Sequence, residues 1–254
     1  MTMPRVVAAE TLDGLAENDP SAMRSRRDLQ RIHRVMGTRT IVARALRKLT
    51  SPRRESRPLR MLELGAGDGS LMLGVAQTFL NEWPAVELTL LDRLDLVSKS
   101  TRADYAAAGW KANSLVGDVL DWAASPEYSK TEAAAGRWDV IVCSLFLHHF
   151  DDRDLHSLLA AIESRTERFF ACEPHRGWLA LAASHLVGAI GANAVTREDA
   201  VLSVHAGFRA AELSQAWPAS SAGWTFDEYP AGLFSHCFFA QRREPAATHR
   251  QAMP

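Results

Sequence analysis

Two groups of residues in this sequence carry reactive or ligand-binding potential. The first is a glycine turn with acids around it. In "MLELGAGDGSLMLGVA", residues 61 to 76, Gly65, Gly67 and Gly69 are spaced two apart directly after an apolar run. Glu63 lies inside the end of that run, and Ala66 lies within the turn. Glycine lets a backbone approach a ligand closely and take up positive φ. The dinucleotide spacing G-x-G-x-x-G fails in both frames, because its last place falls on Ser70 or Met72. A carboxylate at Glu63 repels a pyrophosphate and suits a cationic or amino-bearing ligand. Asp92 in "LTLLDR" and Asp118 in "LVGDVLDW" each close a further apolar run. An acid in the place of Asp92 can accept from both hydroxyls of a ribose, and Asp118 can accept from an adenine amino group. Both also read as helix N-caps.

The second group is a set of histidines. His148 and His149 stand in "CSLFLHHFDD", and His175 stands in "EPHRG" between Glu173 and Arg176. An imidazole titrating near neutrality suits removal of a proton from a hydroxyl. His205 and Arg209 in "LSVHAGFRAAEL" are further polar candidates. A step driven by alignment alone would need no base. No metal-ligand spacing and no nucleophilic triad is visible. Cys143, Cys172 and Cys237 lie singly in apolar runs and read as buried thiols of a reducing, cytoplasmic setting.

The elements that must position these residues alternate. Strands are expected at 59–64, 86–91, 113–117, 138–144 and 168–172, with helices near 70–80, 94–108, 127–135 and 151–165. Strands separated by helices imply right-handed βαβ units and a parallel sheet. Two late strands, 224–229 and 236–241, read as an antiparallel hairpin across "PAGLFS". The expected fold is therefore α/β: a doubly wound, Rossmann-like, seven-stranded sheet, mostly parallel, with a C-terminal antiparallel hairpin and N-terminal helices. Ligands of such sheets bind beyond the carboxyl ends of the strands, where both groups of residues lie.

Ahead of the sheet, residues 1–18 are read as mobile. A helix starts at Asp19 and Pro20 and breaks at Gly37, and a second carries Ile41, Val42, Ala45, Leu46 and Leu49. The loop 50–58 separates an N-terminal helical extension, 1–58, from a domain at 59–243, followed by a disordered tail at 244–254. The helices are too short to bury a core alone, which places them at the ligand entrance.

Residues 59 to 241 resemble a class I S-adenosylmethionine-dependent methyltransferase. The resemblance rests on "LELGAGDG", "LLDR", "LVGDVLDW", "WDVIVCSLFLHHFDD" and "RFFACEPHRG", in the family's order. It implies that Gly65, Ala66, Gly67 and Gly69 pass the methionine part of S-adenosyl-L-methionine and that Glu63 holds its amino end. It also implies that Asp92, with Arg93 beside it, takes the ribose and that Asp118 and Val119 frame the adenine. Ser144 and Leu145 then border the transferable methyl. Within the family, a histidine pair ahead of an acid pair such as Asp151 and Asp152 also serves as a helix-entry element. More narrowly, the basic helix pair, "SLFLHHF" and "HRG" are similar to small-molecule methyltransferases of quinone-biosynthesis and type III polyketide synthase-associated kinds. These imply phenolic, quinonoid or lipid-tailed acceptors.

Composition narrows the classes. A chain with 47% hydrophobic and 23% charged residues can bury a core. The formal net charge is −1, yet Lys and Arg prevail in the first 60 residues and acids in the rest. The basic segment reads as a solvated or acid-docked face, or as contact with an anionic partner. The loop after the fourth strand lacks the N-P-P-Y arrangement of nitrogen methylators, which speaks against nucleic acid as substrate. Residues 177–196 carry no Asp, Glu, Lys or Arg. They read as a core-covering helix that can wall a greasy pocket, not as a membrane insertion. The expected reaction is methyl transfer to oxygen of a small, largely apolar phenol, quinol or polyketide. The alternatives are carbon methylation of a similar ring, a nicotinamide-dependent oxidoreductase, and a binding protein that has lost its chemistry.

Overall fold

Continuous apolar runs need cover on both faces, and several of them join one sheet with five parallel strands. The computed structural model describes residues 3–50, 57–79, 83, 85–125, 136–218 and 223–243. The strands are β1 Leu59–Leu64, β2 Val86–Asp92, β3 Trp110–Val116, β4 Val140–Ser144, β5 Arg168–Pro174, β6 Trp224–Ala231 and β7 Ser235–Arg242. Their order is β3-β2-β1-β4-β5-β7-β6. β1 to β5 pair in parallel, while β7 runs antiparallel to both β5 and β6. The expected hairpin is present, and its second strand is the one that joins the sheet. The order reverses between β1 and β4, which places the ligand crevice there.

The helices are α1 Thr11–Gly14, α2 Pro20–Met36, α3 Thr38–Leu49, α4 Ser70–Thr78, α5 Lys99–Ala107, α6 Val119–Ala124, α7 Asp152–Arg165, α8 Trp178–Ser184, α9 Ala194–Ala206 and α10 Glu212–Ala216. One core gathers Val42, Leu46, Met72 and Tyr105 from α3, α4 and α5. The other gathers Trp122, Leu158, Leu213 and Phe238 on the opposite face. α3 thus serves as a cover for the sheet. α2, joined to it through left-handed Gly37 (φ +68), is free to reach the crevice.

Several boundaries differ from expectation for local reasons. β3 starts at Trp110, three residues early, because it pairs with the whole length of β2. Ser98 accepts from the Thr101 amide and starts α5 there, so 94–98 is loop. Trp138 lies outside β4 in an isolated bridge to Thr166. The helix expected at 127–135 lies outside the described residues, as do most of the loop 50–58 and the tail 244–254. The uncharged segment 177–196 is not one helix. α8 ends at Ser184, a 3-10 turn covers Val187–Ile190, Gly191 turns left-handed (φ +83), and Asn193 caps α9. Among the described residues no helix is long and apolar enough to cross a membrane.

Residues 3–18, expected to be mobile, form a strap. The Arg176 guanidinium donates to the Met3 carbonyl (3.0 Å), and Arg5 donates to the carbonyls of Ala206 (2.9 Å) and Phe150 (2.8 Å). The Asp199 carboxylate accepts from the amides of Thr11 (2.8 Å) and Leu12 (3.0 Å). Hydrogen bonds of this kind escape sequence periodicity because they are made by backbone.

The β6–β7 hairpin carries a buried ion pair. Glu228 accepts from the amides of Leu213 (3.0 Å) and Ser214 (2.8 Å) and from the Ser214 hydroxyl (2.5 Å), and it pairs with His236 Nε2 (2.8 Å). Burial opposes its ionisation, but the bonds from His236 and Ser214 prevail and hold its pKa below the usual 4.5. A depressed carboxyl contributes stability that is present above its unfolded value and lost as pH falls through the folded one. Glu228→Gln is therefore expected to cost about 1–3 kcal/mol at neutral pH. The deficit should shrink on acidification below 4.5. Thermal melts of both proteins across pH check this, and a deficit that does not change with pH contradicts it.

Candidate active site

The turn after β1 is built by strain that only glycine bears cheaply. Gly65 and Gly67 are left-handed, at φ +68 and +55. A Cβ on Gly65 would lie 2.3 Å from the Phe146 ring. The Gly67 amide donates to Asp92 Oδ2 (2.8 Å), and the Leu94 amide donates to Oδ1 (3.1 Å). The acid that ends β2 thus clamps the turn and keeps further lone pairs for a ligand. Asp118 caps α6 by accepting from the Leu120 amide (2.7 Å), as one of its sequence readings has it, and also borders the crevice.

Glu63 is 3% exposed and its Oε2 has no hydrogen-bond partner. Burial, reinforced by Asp68 and Asp92, pushes its pKa well above the usual carboxylate range. A buried acid without a partner is costly, and a cation placed against it would relieve that cost. The Ser144 hydroxyl is likewise buried without a partner, and Leu145 after it is left-handed (φ +52). Backbone held this way by a non-glycine residue marks sites whose surroundings over-determine it.

These groups line one cavity of about 840 Å³. Glu63, Gly65, Ala66 and Gly67 border it, as do Asp92, Arg93, Asp118 and Val119, and then Ser144 and Leu145. Gly69 does not. It starts α4 at φ +73, and its carbonyl accepts from the Tyr105 hydroxyl (2.6 Å). Arg93 faces outward far enough to pair with Asp13 (3.3 Å).

At the other end of the cavity stand the paired histidines. Glu173, fully buried at the end of β5, accepts from the amides of Phe146 (3.1 Å) and Leu147 (3.0 Å) and binds His148 Nδ1 (2.9 Å). It thereby fixes the loop after β4. His148 Nε2 faces Glu10 Oε1 from the strap at 3.3 Å. Burial alone would favour neutral His148, but the hydrogen bonds its ring donates to Glu10 and Glu173 outweigh it and raise its pKa to about 9. His149 Nδ1 meets Asp13 at 3.1 Å, and the two imidazole rings lie 4.3 Å apart.

His175 joins neither end. Its backbone continues β5 through a bridge to Phe208, its ring faces His236 at 5.9 Å, and it does not border the cavity. Burial and the neighbouring His236, Arg209 and Arg176 lower its pKa. His205 and Arg209 also lie off the cavity lining. Arg176 anchors the strap and pairs with Glu212.

Sequence reasoning missed Glu10, Asp13 and Ser203, whose hydroxyl donates to Glu10. The first two sit 138 and 136 positions ahead of the histidines they meet, and nothing in their spacing signals it. It also missed Gln30, whose amide reaches Asp68 (2.6 Å) across the glycine turn. Between the two ends the walls are apolar: Leu29, Ile32 and Met36 of α2 face Ala183, Leu186 and Ile190 of the 177–196 segment. That segment lines the cavity as expected, although as two short pieces.

No protein-family model matches this sequence, and no curated protein does. Solved structures do. The plantazolicin methyltransferase BpumL in complex with SAH aligns at TM-score 0.61 and 13% identity, over 89% of this chain and 92% of that one. An O-methyltransferase family protein from Burkholderia thailandensis aligns at 0.58 and 14%, over 89% of this chain and 61% of that one. The mitomycin 7-O-methyltransferase MmcR aligns at 0.51 and 21%, over 92% and 60%. With the β3-β2-β1-β4-β5-β7-β6 sheet and the acid-flanked glycine turn, this likeness assigns the chain the Rossmann-like fold of these methyltransferases.

Proposed function

We propose that the protein transfers a methyl group from S-adenosyl-L-methionine to an oxygen of a small, largely apolar acceptor. The observation that carries this is the unpartnered, buried Glu63 beside the glycine turn. It disfavours a pyrophosphate, and hence a nicotinamide dinucleotide, and favours an ammonium. Glu63 would hold the amino group, Gly65 to Gly67 would let the methionine chain lie close, Asp92 would take the ribose hydroxyls, and Asp118 with Val119 would frame the base. When bound, the cofactor supplies an electrophilic methyl on a sulfonium. The SAH in the BpumL structure, and the natural-product names of BpumL and MmcR, support this ligand and an acceptor of that kind.

The rest is done by this chain. α2 and residues 180–190 exclude water from an acceptor and orient its apolar body. Glu10, His148, Asp13 and His149 form the polar end where a hydroxyl docks. Both nitrogens of His148 are engaged by carboxylates, Nδ1 by Glu173 and Nε2 by Glu10, so it shapes the polar end and is not the group that takes the acceptor's proton. His149, held by Asp13, is the imidazole left to take a hydroxyl proton. The three buried free thiols support a reducing, cytoplasmic setting. Carbon methylation is the nearest rival, since the same pocket would serve it.

Incubation with methyl-labelled cofactor and a panel of phenols, enols and quinols tests the reading. Label is expected on oxygen of the small molecules. Label only on protein or nucleic acid overturns it.

A further inference from the structure

We infer that Glu10, His148 and His149 form a binding site for one divalent cation of the zinc class at the polar end of the cavity. One ligand atom from each lies within 4.8 Å of the others. Glu10 Oε1 and His148 Nε2 are 3.3 Å apart, the edge of a tetrahedron with metal bonds of about 2.0–2.1 Å. The three sit on the strap and on the turn after β4, so folding assembles a cluster that their spacing in the sequence conceals.

Three further features fit a metal. Each imidazole has a carboxylate on one nitrogen, Glu173 on His148 (2.9 Å) and Asp13 on His149 (3.1 Å). Such outer carboxylates fix the tautomer and raise the basicity of metal-binding histidines. Negative charge also gathers here: Glu10, Glu173, Asp13 and Asp199 face two imidazoles and Arg93. A dication neutralises that excess. Finally, all three donors border the cavity. Three protein ligands with a remaining position open to the pocket is the arrangement of catalytic rather than structural zinc. Two nitrogens and one oxygen favour zinc, cobalt or nickel over magnesium or calcium, which take oxygen ligands.

The use of this site rests on the methyl-transfer reading above. An acceptor hydroxyl in the open position is acidified by the cation and releases its proton to solvent. The resulting oxygen lone pair bonds to the methyl carbon as the carbon–sulfur bond breaks. That bonding pair stays on sulfur, which becomes a neutral thioether. Acidification by the cation would then replace the proton abstraction that otherwise falls to His149.

Cobalt(II) is the probe. The full chain, stripped with a chelator, is titrated with Co²⁺ and followed by visible absorption, with SAH affinity measured on the same samples. One Co²⁺ per chain is expected, with the intense absorption of a four-coordinate nitrogen-ligated site, displaced by Zn²⁺. Glu10→Gln and His149→Ala should each weaken it at least tenfold, while His175→Ala leaves it unchanged. Failure to bind Co²⁺, or binding unaffected by Glu10→Gln and His149→Ala, overturns the site. Full methyl transfer by the stripped protein overturns its catalytic use. Loss of SAH binding in the unmodified protein instead defeats the methyl-transfer reading and leaves the metal site to stand on its own titration.

Discussion

Asp92→Ala is expected to weaken SAH binding by about 30- to 1000-fold, roughly 2–4 kcal/mol. Two losses add. The variant loses the carboxylate that would accept both ribose hydroxyls. It also releases the Gly67 amide and the Leu94 amide, which Asp92 now holds at 2.8 and 3.1 Å. Asp92→Asn separates them, because its single carbonyl oxygen can keep one of the two amides. It should fall between the parent and Asp92→Ala. Calorimetric titration with SAH on folded variants measures the effect. Unchanged affinity in Asp92→Ala would remove the ribose assignment.

The second large effect concerns the opposite end. His149→Ala is expected to lower turnover by about 10²–10⁴-fold while SAH affinity stays within a few-fold. His149 is only partly buried, and its side chain meets Asp13 rather than the apolar core, so the variant should fold. The imidazole is needed in either of its roles, as the base held by Asp13 or as a ligand of the inferred cation. Turnover equal to the parent, with the cofactor saturating, would show that alignment alone drives the reaction. His148→Ala is a poorer probe because His148 is one of the partners that Glu173 uses to hold the loop after β4.

Much of the architecture was legible because it rests on local, periodic signals. The parallel strands announce themselves as apolar runs, the helix at Pro20 by its Asp19 cap, and the break at Gly37 by the one residue that takes φ +68 cheaply. The glycine-turn end of the cavity was legible for the same reason, since Glu63, the glycines and Asp92 each close a strand or a turn. Gly69 is the exception. Its place in the motif is that of a helix start, and its positive φ serves α4 and Tyr105 rather than a ligand.

The reacting end was half legible. His148 and His149 follow a strand directly, but what they do depends on Glu10 and Asp13, acids in a strap without periodicity. Their placement is decided by Arg5, Arg176 and Asp199, long-range partners that bind backbone carbonyls and amides. His175 misled because it too follows a strand. β7 lies antiparallel beside β5, and its His236 occupies the side to which the His175 ring turns. The 177–196 segment misled through composition: absence of charge implied one helix, whereas Gly188, Gly191 and the Asn193 cap break it.

Calorimetric titration of the full chain with S-adenosylmethionine and SAH, and separately with NAD, distinguishes an S-adenosylmethionine site at the acid-flanked glycine turn from a dinucleotide site. Saturable binding of one S-adenosylmethionine or SAH per chain is expected, with no heat from NAD and with Glu63→Leu losing most of the affinity. Binding of NAD with no response to either sulfur compound would contradict the S-adenosylmethionine assignment.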